Sequence, residues 1–156
     1  MIKYKDTYVV FEEIPDEVTL AINITNCQNR CEGCHSPELR GNIGSELTKD
    51  VLDELISKND GITCICFMGE GNDKDALYNL VMYIRQKYGE KYKIAIYSGT
   101  NDGPDFKYWL DYLKVGPYIP EFGPLNKRTT NQRLFKVERK GDEVFDLTDI
   151  TYKFWK

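Results

Sequence analysis

Short apolar runs alternate with longer amphipathic stretches along most of the chain. Residues 18–24 (VTLAINI), 62–68 (ITCICFM) and 93–97 (KIAIY) are short and rich in β-branched or aromatic residues, which predicts three strands. Residues 48–58 and 73–88 carry apolar side chains at helical spacing, which predicts a helix between each pair of strands. This alternation is typical of βαβ units and predicts a largely parallel sheet.

The alternation weakens in the last third of the chain. A proline at position 104 favours a helix that begins there and extends to residue 113. Residues 114–118 are then predicted to form a further strand. Residues 133–138 and 143–147 flank a Lys-Gly turn and predict a final pair of short strands.

These elements predict an α/β fold class, namely an open partial (β/α) barrel with mostly parallel strands. The sequence shows no internal repeat or linker, so residues 1–156 are predicted to form a single domain. A closed eight-stranded barrel typically takes about 250 residues, and this chain has too few βα units for one. Sheets of this kind bind their ligands at the carboxyl ends of the strands.

Composition and charge narrow the possible functions. The chain has 156 residues, of which 41% are hydrophobic and 29% charged, as in ordinary globular proteins. A net charge of −4 gives no support for a nucleic-acid partner. No apolar run reaches the roughly 18 residues of a membrane span, and the amino-terminal residues lack the apolar region of a signal peptide. We therefore expect a cytoplasmic protein without a membrane partner, whose five cysteines are not paired as disulfides.

Three of the five cysteines lie within eight residues, in a polar loop that follows the first predicted strand. Their spacing is Cys27-x3-Cys31-x2-Cys34, and Gly33 adds the backbone freedom that a tight loop needs. One interpretation is a closed zinc site in which His35, the only histidine, joins the three cysteines. The other is an iron–sulfur cluster, in which three thiolates leave one iron open.

The remaining cysteines, Cys64 and Cys66, could supply a fourth ligand. They alternate within a predicted strand, so they share one face of it with Ile62 and Met68. Core packing is therefore the favoured interpretation for both of them.

The cysteine spacing resembles the signature of the radical S-adenosylmethionine enzymes. The longer string TNCQNRCEGCHSPEL, residues 25–39, is similar to one branch of them, the activating proteins of anaerobic ribonucleoside-triphosphate reductase. The string GPYIPEFGPLNKRTTNQR, residues 116–133, also resembles that branch. The resemblance extends over residues 19–133.

This resemblance implies a reaction and its cofactors. In the family, three cysteines hold a [4Fe-4S] cluster whose open iron is chelated by S-adenosylmethionine. Reductive cleavage of S-adenosylmethionine then gives a deoxyadenosyl radical, which abstracts a hydrogen atom from a glycine of the partner reductase. The implied partners are the anaerobic ribonucleoside-triphosphate reductase and an electron donor such as a flavodoxin or ferredoxin.

The resemblance also implies which residues bind S-adenosylmethionine. Gly69 and Glu70, after the second predicted strand, resemble a Gly-Gly-Glu motif that binds the ammonium group of the cofactor. Ser98 and Gly99 follow the next strand, where family members contact the cofactor. Gly33 and His35 flank the last cysteine and are also assigned to cofactor binding. No catalytic residue beyond the cluster ligands is predicted.

Two alternatives remain open at the level of sequence. The protein could activate another glycyl radical enzyme or be a different small radical S-adenosylmethionine enzyme. In a different class, it could be a non-catalytic zinc-binding interaction module. A basic stretch between Lys127 and Lys140 is interpreted as solvated surface, with docking of the partner as the functional alternative.

Overall fold

One open mixed sheet organises the computed structural model, which describes residues 1–28, 37–140 and 144–155. In the described residues the sheet has eight strands in the order β3-β1-β2-β4-β5-β6-β7-β8. The strands are β1 (Lys3–Val10), β2 (Thr19–Ile24), β3 (Ser45–Glu46), β4 (Cys64–Met68), β5 (Lys93–Tyr97), β6 (Tyr112–Val115), β7 (Arg133–Lys140) and β8 (Val144–Asp149). Two α-helices, α1 (Lys49–Ser57) and α2 (Lys74–Tyr88), connect the parallel strands.

The centre of the sheet is parallel and both flanks are antiparallel. Strands β2, β4, β5 and β6 pair parallel to one another in that order. On one flank β1 pairs antiparallel with β2 and β3, and on the other β7 pairs antiparallel with β6 and β8. The sheet is therefore mixed, and its assignment to the radical S-adenosylmethionine type of partial barrel stays a prediction.

The two faces of the sheet have different chemistry because side chains alternate along each strand. On the outer face, Ile65 and Phe67 of β4 pack in the same core as residues of both helices. On the inner face, Cys64 and Cys66 pack with Ala95 and with side chains from β6 and β7. Both helices thus lie on one side of the sheet, and the inner face carries the smaller core.

Side-chain caps begin both helices at the positions that the sequence pattern indicates. The Thr48 hydroxyl accepts a hydrogen bond from the backbone of Val51 at 3.2 Å, and the Asp73 carboxylate accepts one from Ala76 at 3.1 Å. Gly89 follows α2 with a positive φ of 60°, a conformation that favours glycine. The predicted helices at 48–58 and 73–88 are therefore confirmed. In the described part of the chain, no helix combines the length and apolar character needed to cross a membrane.

The predicted helix at 104–113 is wrong. Only a 3₁₀ turn, Lys107–Trp109, forms there, and the next strand, β6, begins at Tyr112 rather than at residue 114. The Asp111 carboxylate accepts hydrogen bonds from the backbone of Ile94 at 2.9 Å and from Arg85 of α2 at 2.8 Å. These contacts hold the segment against the sheet, so pairing with β5 overrides its helical pattern.

Strand β1 was not among the predicted elements, because polar and charged residues alternate irregularly through it. Its register against β2 shifts between Tyr4 and Thr7, and exposed side chains occur on both of its faces toward the carboxyl end. Hydrophobic periodicity does not detect such a strand. The last two predicted strands are confirmed as β7 and β8, although β7 extends to Lys140 and β8 is shifted toward the carboxyl terminus, to Val144–Asp149.

A hydrogen-bonded carboxylate joins the two helices on their outer side. Asp53 of α1 accepts hydrogen bonds from Lys87 at 2.8 Å, Tyr83 at 2.5 Å and Tyr88 at 2.7 Å, all on α2. Desolvation raises the pKa of Asp53, but these three hydrogen bonds outweigh it and hold the pKa below its ordinary value of 3.8. The contact therefore stabilises the fold only while Asp53 is ionised.

We expect the substitution Asp53→Asn to lower the free energy of unfolding at pH 7 by about 1–2 kcal/mol, because charge-assisted hydrogen bonds are lost. A lowered carboxyl pKa contributes stability above the unfolded pKa, and the contribution disappears as the pH falls through the folded pKa. The difference between wild type and variant should thus shrink below about pH 4. Urea titrations followed by circular dichroism at pH 7 and pH 3 measure it.

Asp60→Asn is the matched control, since Asp60 is exposed near the end of α1. It should leave the free energy of unfolding within about 0.5 kcal/mol of wild type at both pH values. If Asp53→Asn lowers the free energy of unfolding by the same amount at pH 3 as at pH 7, the stabilising role of the ionised Asp53 carboxylate is contradicted.

Candidate functional site

Parallel pairing brings the carboxyl ends of β2, β4, β5 and β6 to one edge of the sheet. The three segments that the sequence singles out follow β2, β4 and β5 at this edge. Cys27 comes after β2, the Gly69-Glu70-Gly71 turn after β4, and Ser98 after β5. The candidate site is therefore built from segments that are far apart in the sequence.

Backbone hydrogen bonds hold Cys27 at the base of the cysteine loop. The amide of Cys27 donates to the carbonyl of Leu39 at 2.9 Å, and the amide of Asn26 donates to Gly41 at 3.1 Å. Asn26 adopts a positive φ of 60°, which turns the chain out of β2. Cys27 is half-buried. These hydrogen bonds join the two stems of the loop at its base.

Four predicted site residues lie outside the described residues. They are Cys31, Gly33, Cys34 and His35. Their assignments as cluster ligands or cofactor contacts therefore stay predictions.

The turn after β4 packs directly against the end of β2. Gly71 has a φ of 65°, and a Cβ atom there would lie 3.0 Å from side-chain atoms of both Ile2 and Ile24. Gly69 has a φ of 119°, although a Cβ atom on it would meet nothing closer than 3.7 Å. Gly71 is thus required for close packing, whereas Gly69 is required for its backbone conformation. Together they place Glu70 beside the segment that carries Cys27.

A buried hydroxyl orients the Glu70 carboxylate. Ser98 is fully buried, and its Oγ donates a hydrogen bond to Glu70 Oε2 at 2.5 Å. Ser98 Oγ also lies 2.9 Å from Thr100 Oγ1 and accepts a hydrogen bond from the Thr100 amide at 3.1 Å. Thr100 Oγ1 in turn accepts the Gly103 amide at 3.0 Å. The hydroxyl of Ser98 is therefore occupied by protein groups, and Ser98 acts on the site through Glu70.

A cleft of about 260 Å³ joins these segments. Four of the site residues predicted from the sequence line this cleft, namely Cys27, Gly69, Glu70 and Gly99. Sequence reasoning missed the other lining residues, Gln28, Gly71, Lys74 and Thr100, as binding groups. Gln28 and Thr100 each lie within two residues of a predicted site residue, which is the signal that could have found them.

A buried lysine supports this edge of the sheet from the inner face. Lys114 of β6 is only 8% exposed, and its ammonium donates to the carbonyls of Ser98 at 3.2 Å and Gly116 at 2.9 Å. These two carbonyls belong to the ends of β5 and β6, so the lysine joins the two strand ends. Its position between apolar neighbours gave no sign of this role in the sequence.

The structure places Cys64 and Cys66 in the inner core, as the core-packing interpretation predicts. Both side chains have no exposed surface. Burial raises the pKa of the Cys64 thiol and that of the Cys66 thiol. Buried thiols held in the neutral form are poor ligands for iron, which binds the thiolate.

A family model described as a 4Fe-4S single cluster domain matches residues 18–109, more than half of the chain. The chain belongs to this family. The matched segment of the 4Fe-4S single cluster domain contains all three loop cysteines and the whole of the cleft lining. Comparisons with curated proteins and with solved structures found no match. Family membership indicates that the protein binds an iron–sulfur cluster, and such a domain is compatible with an oxidoreductase.

The residues present fit a 4Fe-4S cluster. Thiolates are the usual ligands of such clusters, and the loop offers three of them within eight residues. Cys27 borders a cleft whose walls include Gly69, Gly71 and Gly99, so no side chain projects from these three positions. Cys27, Cys31 and Cys34 are therefore the residues expected to hold the cluster.

We expect Cys27→Ala, Cys31→Ala and Cys34→Ala each to lose most of the bound iron after anaerobic reconstitution, because each removes a thiolate ligand. Iron and sulfide per chain, together with the visible absorption of the cluster, measure the loss.

Cys64→Ala and Cys66→Ala serve as matched controls, since they remove the same chemical group from the core. Both should keep the iron while lowering the free energy of unfolding by roughly 1–2 kcal/mol through the cavity that they leave. Loss of iron in either core variant, with the fold intact, would contradict the assignment of ligands.

Proposed function

We propose that the protein is a radical S-adenosylmethionine activase. It reductively cleaves S-adenosylmethionine at its 4Fe-4S cluster and abstracts a hydrogen atom from a glycine of anaerobic ribonucleotide reductase, leaving a glycyl radical on that partner. The single observation that carries the proposal is the cleft in which Cys27 and the oriented Glu70 carboxylate meet. A reducing cytoplasm is the proposed compartment, because clustered thiols stay reduced there.

The topology supports the proposal. Strands β2, β4, β5 and β6 follow one another in a single direction across the sheet, and both helices pack on the same face. Winding in one direction is how (β/α) barrels are built, whereas a dinucleotide-binding sheet reverses its strand order at the ligand site. The inner face is consequently left for ligands.

Each residue of the cleft has a role in this proposal. Cys27, Cys31 and Cys34 hold the cluster, which when bound supplies the single electron for cleavage. Glu70 and the carbonyls of the turn after β4 accept hydrogen bonds from the ammonium group of S-adenosylmethionine. Ser98 keeps the Glu70 carboxylate in one orientation, so less conformational entropy is lost on binding.

The proposed reaction is a one-electron cleavage of S-adenosylmethionine followed by transfer of one hydrogen atom. One electron enters from a donor of the flavodoxin or ferredoxin class, and the carbon–sulfur bond of S-adenosylmethionine breaks to release methionine. The deoxyadenosyl group takes one hydrogen atom from the α-carbon of the target glycine and leaves as deoxyadenosine. Glycine suits this step because no side chain blocks approach to its α-carbon.

The first test is deoxyadenosine formation. We expect the anaerobically reconstituted protein, given dithionite and S-adenosylmethionine, to form deoxyadenosine that chromatography quantifies. The Cys27/Cys31/Cys34→Ala variant should form none, because it lacks all three cluster ligands. A reconstituted wild-type protein that holds zinc, binds no iron and forms no deoxyadenosine would instead indicate a structural metal site.

The second test addresses the role of Glu70 without relying on turnover. We expect Glu70→Gln to weaken binding of radiolabelled S-adenosylmethionine to the cluster-loaded protein by at least about tenfold, because a charge-assisted hydrogen bond is lost. Ser98→Ala should weaken binding less, about threefold to fivefold, since it only frees the carboxylate. Equilibrium dialysis measures both dissociation constants.

Glu90→Gln is the control for loss of one negative charge, because Glu90 is exposed just beyond α2. It should bind S-adenosylmethionine as wild type does, and all variants should retain the same iron content. Unchanged binding in Glu70→Gln would remove Glu70 from the site.

A further inference from the structure

A buried lysine is connected to the candidate site through one serine. Lys114 lines a cavity of about 570 Å³ on the inner face of the sheet, whereas Glu70 lines the cleft. Ser98 is buried between them and bonds to both: its carbonyl accepts a hydrogen bond from Lys114, and its hydroxyl donates one to Glu70. A change at Lys114 can therefore reach the cleft through Ser98.

Strand pairing leaves the carbonyl of Ser98 without its regular backbone partner. The amide of Ser98 donates to the carbonyl of Lys114 at 2.7 Å, which continues the parallel pairing of Tyr97 with Lys114. In a regular parallel ladder the carbonyl of Ser98 would then accept a hydrogen bond from the amide of Gly116. That amide donates instead to Thr100, at 2.6 Å, and Gly116 has a positive φ of 104°. The ladder thus skips the Ser98 carbonyl.

The ammonium of Lys114 takes the place of the missing amide. It donates to the Ser98 carbonyl at 3.2 Å and to the Gly116 carbonyl at 2.9 Å. Lys114 therefore holds both peptide groups of Ser98, one through its own backbone carbonyl and the other through its side chain. Because peptide groups are planar, fixing the two that flank a Cα atom fixes the direction of its side chain. The hydroxyl that orients Glu70 is thus positioned by Lys114.

Lys114 keeps its positive charge in this position, because the carbonyls that it binds are neutral. The ring of Tyr97 lies 5.7 Å from the ammonium, and the carboxylates of Glu12 and Glu13 line the same cavity. S-adenosylmethionine carries a net positive charge, since it has a sulfonium, an ammonium and one carboxylate. The charge of Lys114 by itself opposes the binding of a cation. We therefore expect any favourable effect of Lys114 on binding to come from geometry rather than from net charge.

We propose that Lys114 is a positioning residue for S-adenosylmethionine, because it holds Ser98 in the place from which the serine hydroxyl orients the Glu70 carboxylate. The inference rests on the proposed function and adds to it a residue that the sequence resemblance does not assign. Lys114 acts through Ser98, so its contribution to binding is no larger than that of the Ser98 hydroxyl.

A double-mutant cycle on S-adenosylmethionine binding tests the proposal. Equilibrium dialysis with radiolabelled S-adenosylmethionine gives the dissociation constants of the full-length, cluster-loaded wild type, Lys114→Met, Ser98→Ala and the double variant. We expect Lys114→Met to weaken binding about threefold to fivefold, as Ser98→Ala does, because both changes free the same carboxylate. The double variant should bind no more weakly than Ser98→Ala alone, since the two residues act in series.

Lys93→Met is the matched control, because it removes the same charge from an exposed position at the opposite end of β5. It should bind S-adenosylmethionine as wild type does. Iron per chain and circular dichroism check that every variant holds its cluster and folds. Lys114→Gln, which loses the ammonium but keeps a polar side chain, goes through the same cycle with the same expectation, so the test does not depend on the folding of Lys114→Met.

The proposal is overturned if the Lys114 variants bind S-adenosylmethionine as tightly as wild type, or more tightly, as release of a repelling charge alone would produce. It is also overturned if replacing Lys114 weakens the Ser98→Ala protein as much as it weakens wild type. Lys114 would then act on the ligand directly or by loosening the strand ends in general.

Failure of this inference differs from failure of the proposed function. The inference fails when wild type forms deoxyadenosine but the cycle shows no coupling between Lys114 and Ser98. The proposed function fails when the reconstituted wild type forms no deoxyadenosine.

Discussion

Parallel pairing of β2 with β4, and of β4 with β5, brings three strand ends together at one edge of the sheet. Every feature of the site depends on this alignment. Cys27 and Glu70 are far apart in the sequence, yet they line one cleft. Gly71 makes the approach close, because a side chain there would collide with Ile2 and Ile24. Backbone pairing sets the direction of the segments and the glycine sets their separation.

The two faces of the sheet divide stability from chemistry. The outer face is aliphatic and aromatic, and the helices cover it with side chains such as Leu52 and Leu77. The inner face of the same strands carries polar and sulfur-containing residues, including Cys66 and Lys114. Burying apolar side chains stabilises the fold without directional requirements, whereas buried polar groups need partners with defined geometry. The inner face can therefore carry functional groups while the apolar core on the outer face maintains the fold.

Two cations, the buried Lys114 and the half-buried Arg85, hold opposite ends of the β5–β6 pair. Arg85 binds Asp111 and the carbonyl of Trp109 at the beginning of β6, and Lys114 binds carbonyls at the ends of β5 and β6. A buried charge is costly unless it is hydrogen-bonded, and both side chains have several partners. Lys114 thus joins two strand ends at the edge of the sheet that carries the cleft. Preorganised groups of this kind lose little entropy when a ligand binds.

The sequence by itself determined the parts of this protein that depend on local pattern. The short β-branched run at 62–68 predicted a strand, and the helical spacing at 73–88 predicted a helix whose apolar residues share one face; both elements form. The spacing of the loop cysteines left zinc and a cluster open, and their resemblance to a known signature implied the cluster, which the 4Fe-4S family match supports. Such features are encoded within a few residues of one another, so periodicity and spacing detect them.

Only the tertiary structure decided the features that need partners distant in sequence. Strand β6 replaced a predicted helix because Asp111 binds Arg85 and the backbone of Ile94. Ser98 was predicted to contact a cofactor, and the structure shows that its hydroxyl is occupied by Glu70 and Thr100. Neither contact has a local signature, because each depends on which side chains the sheet brings together.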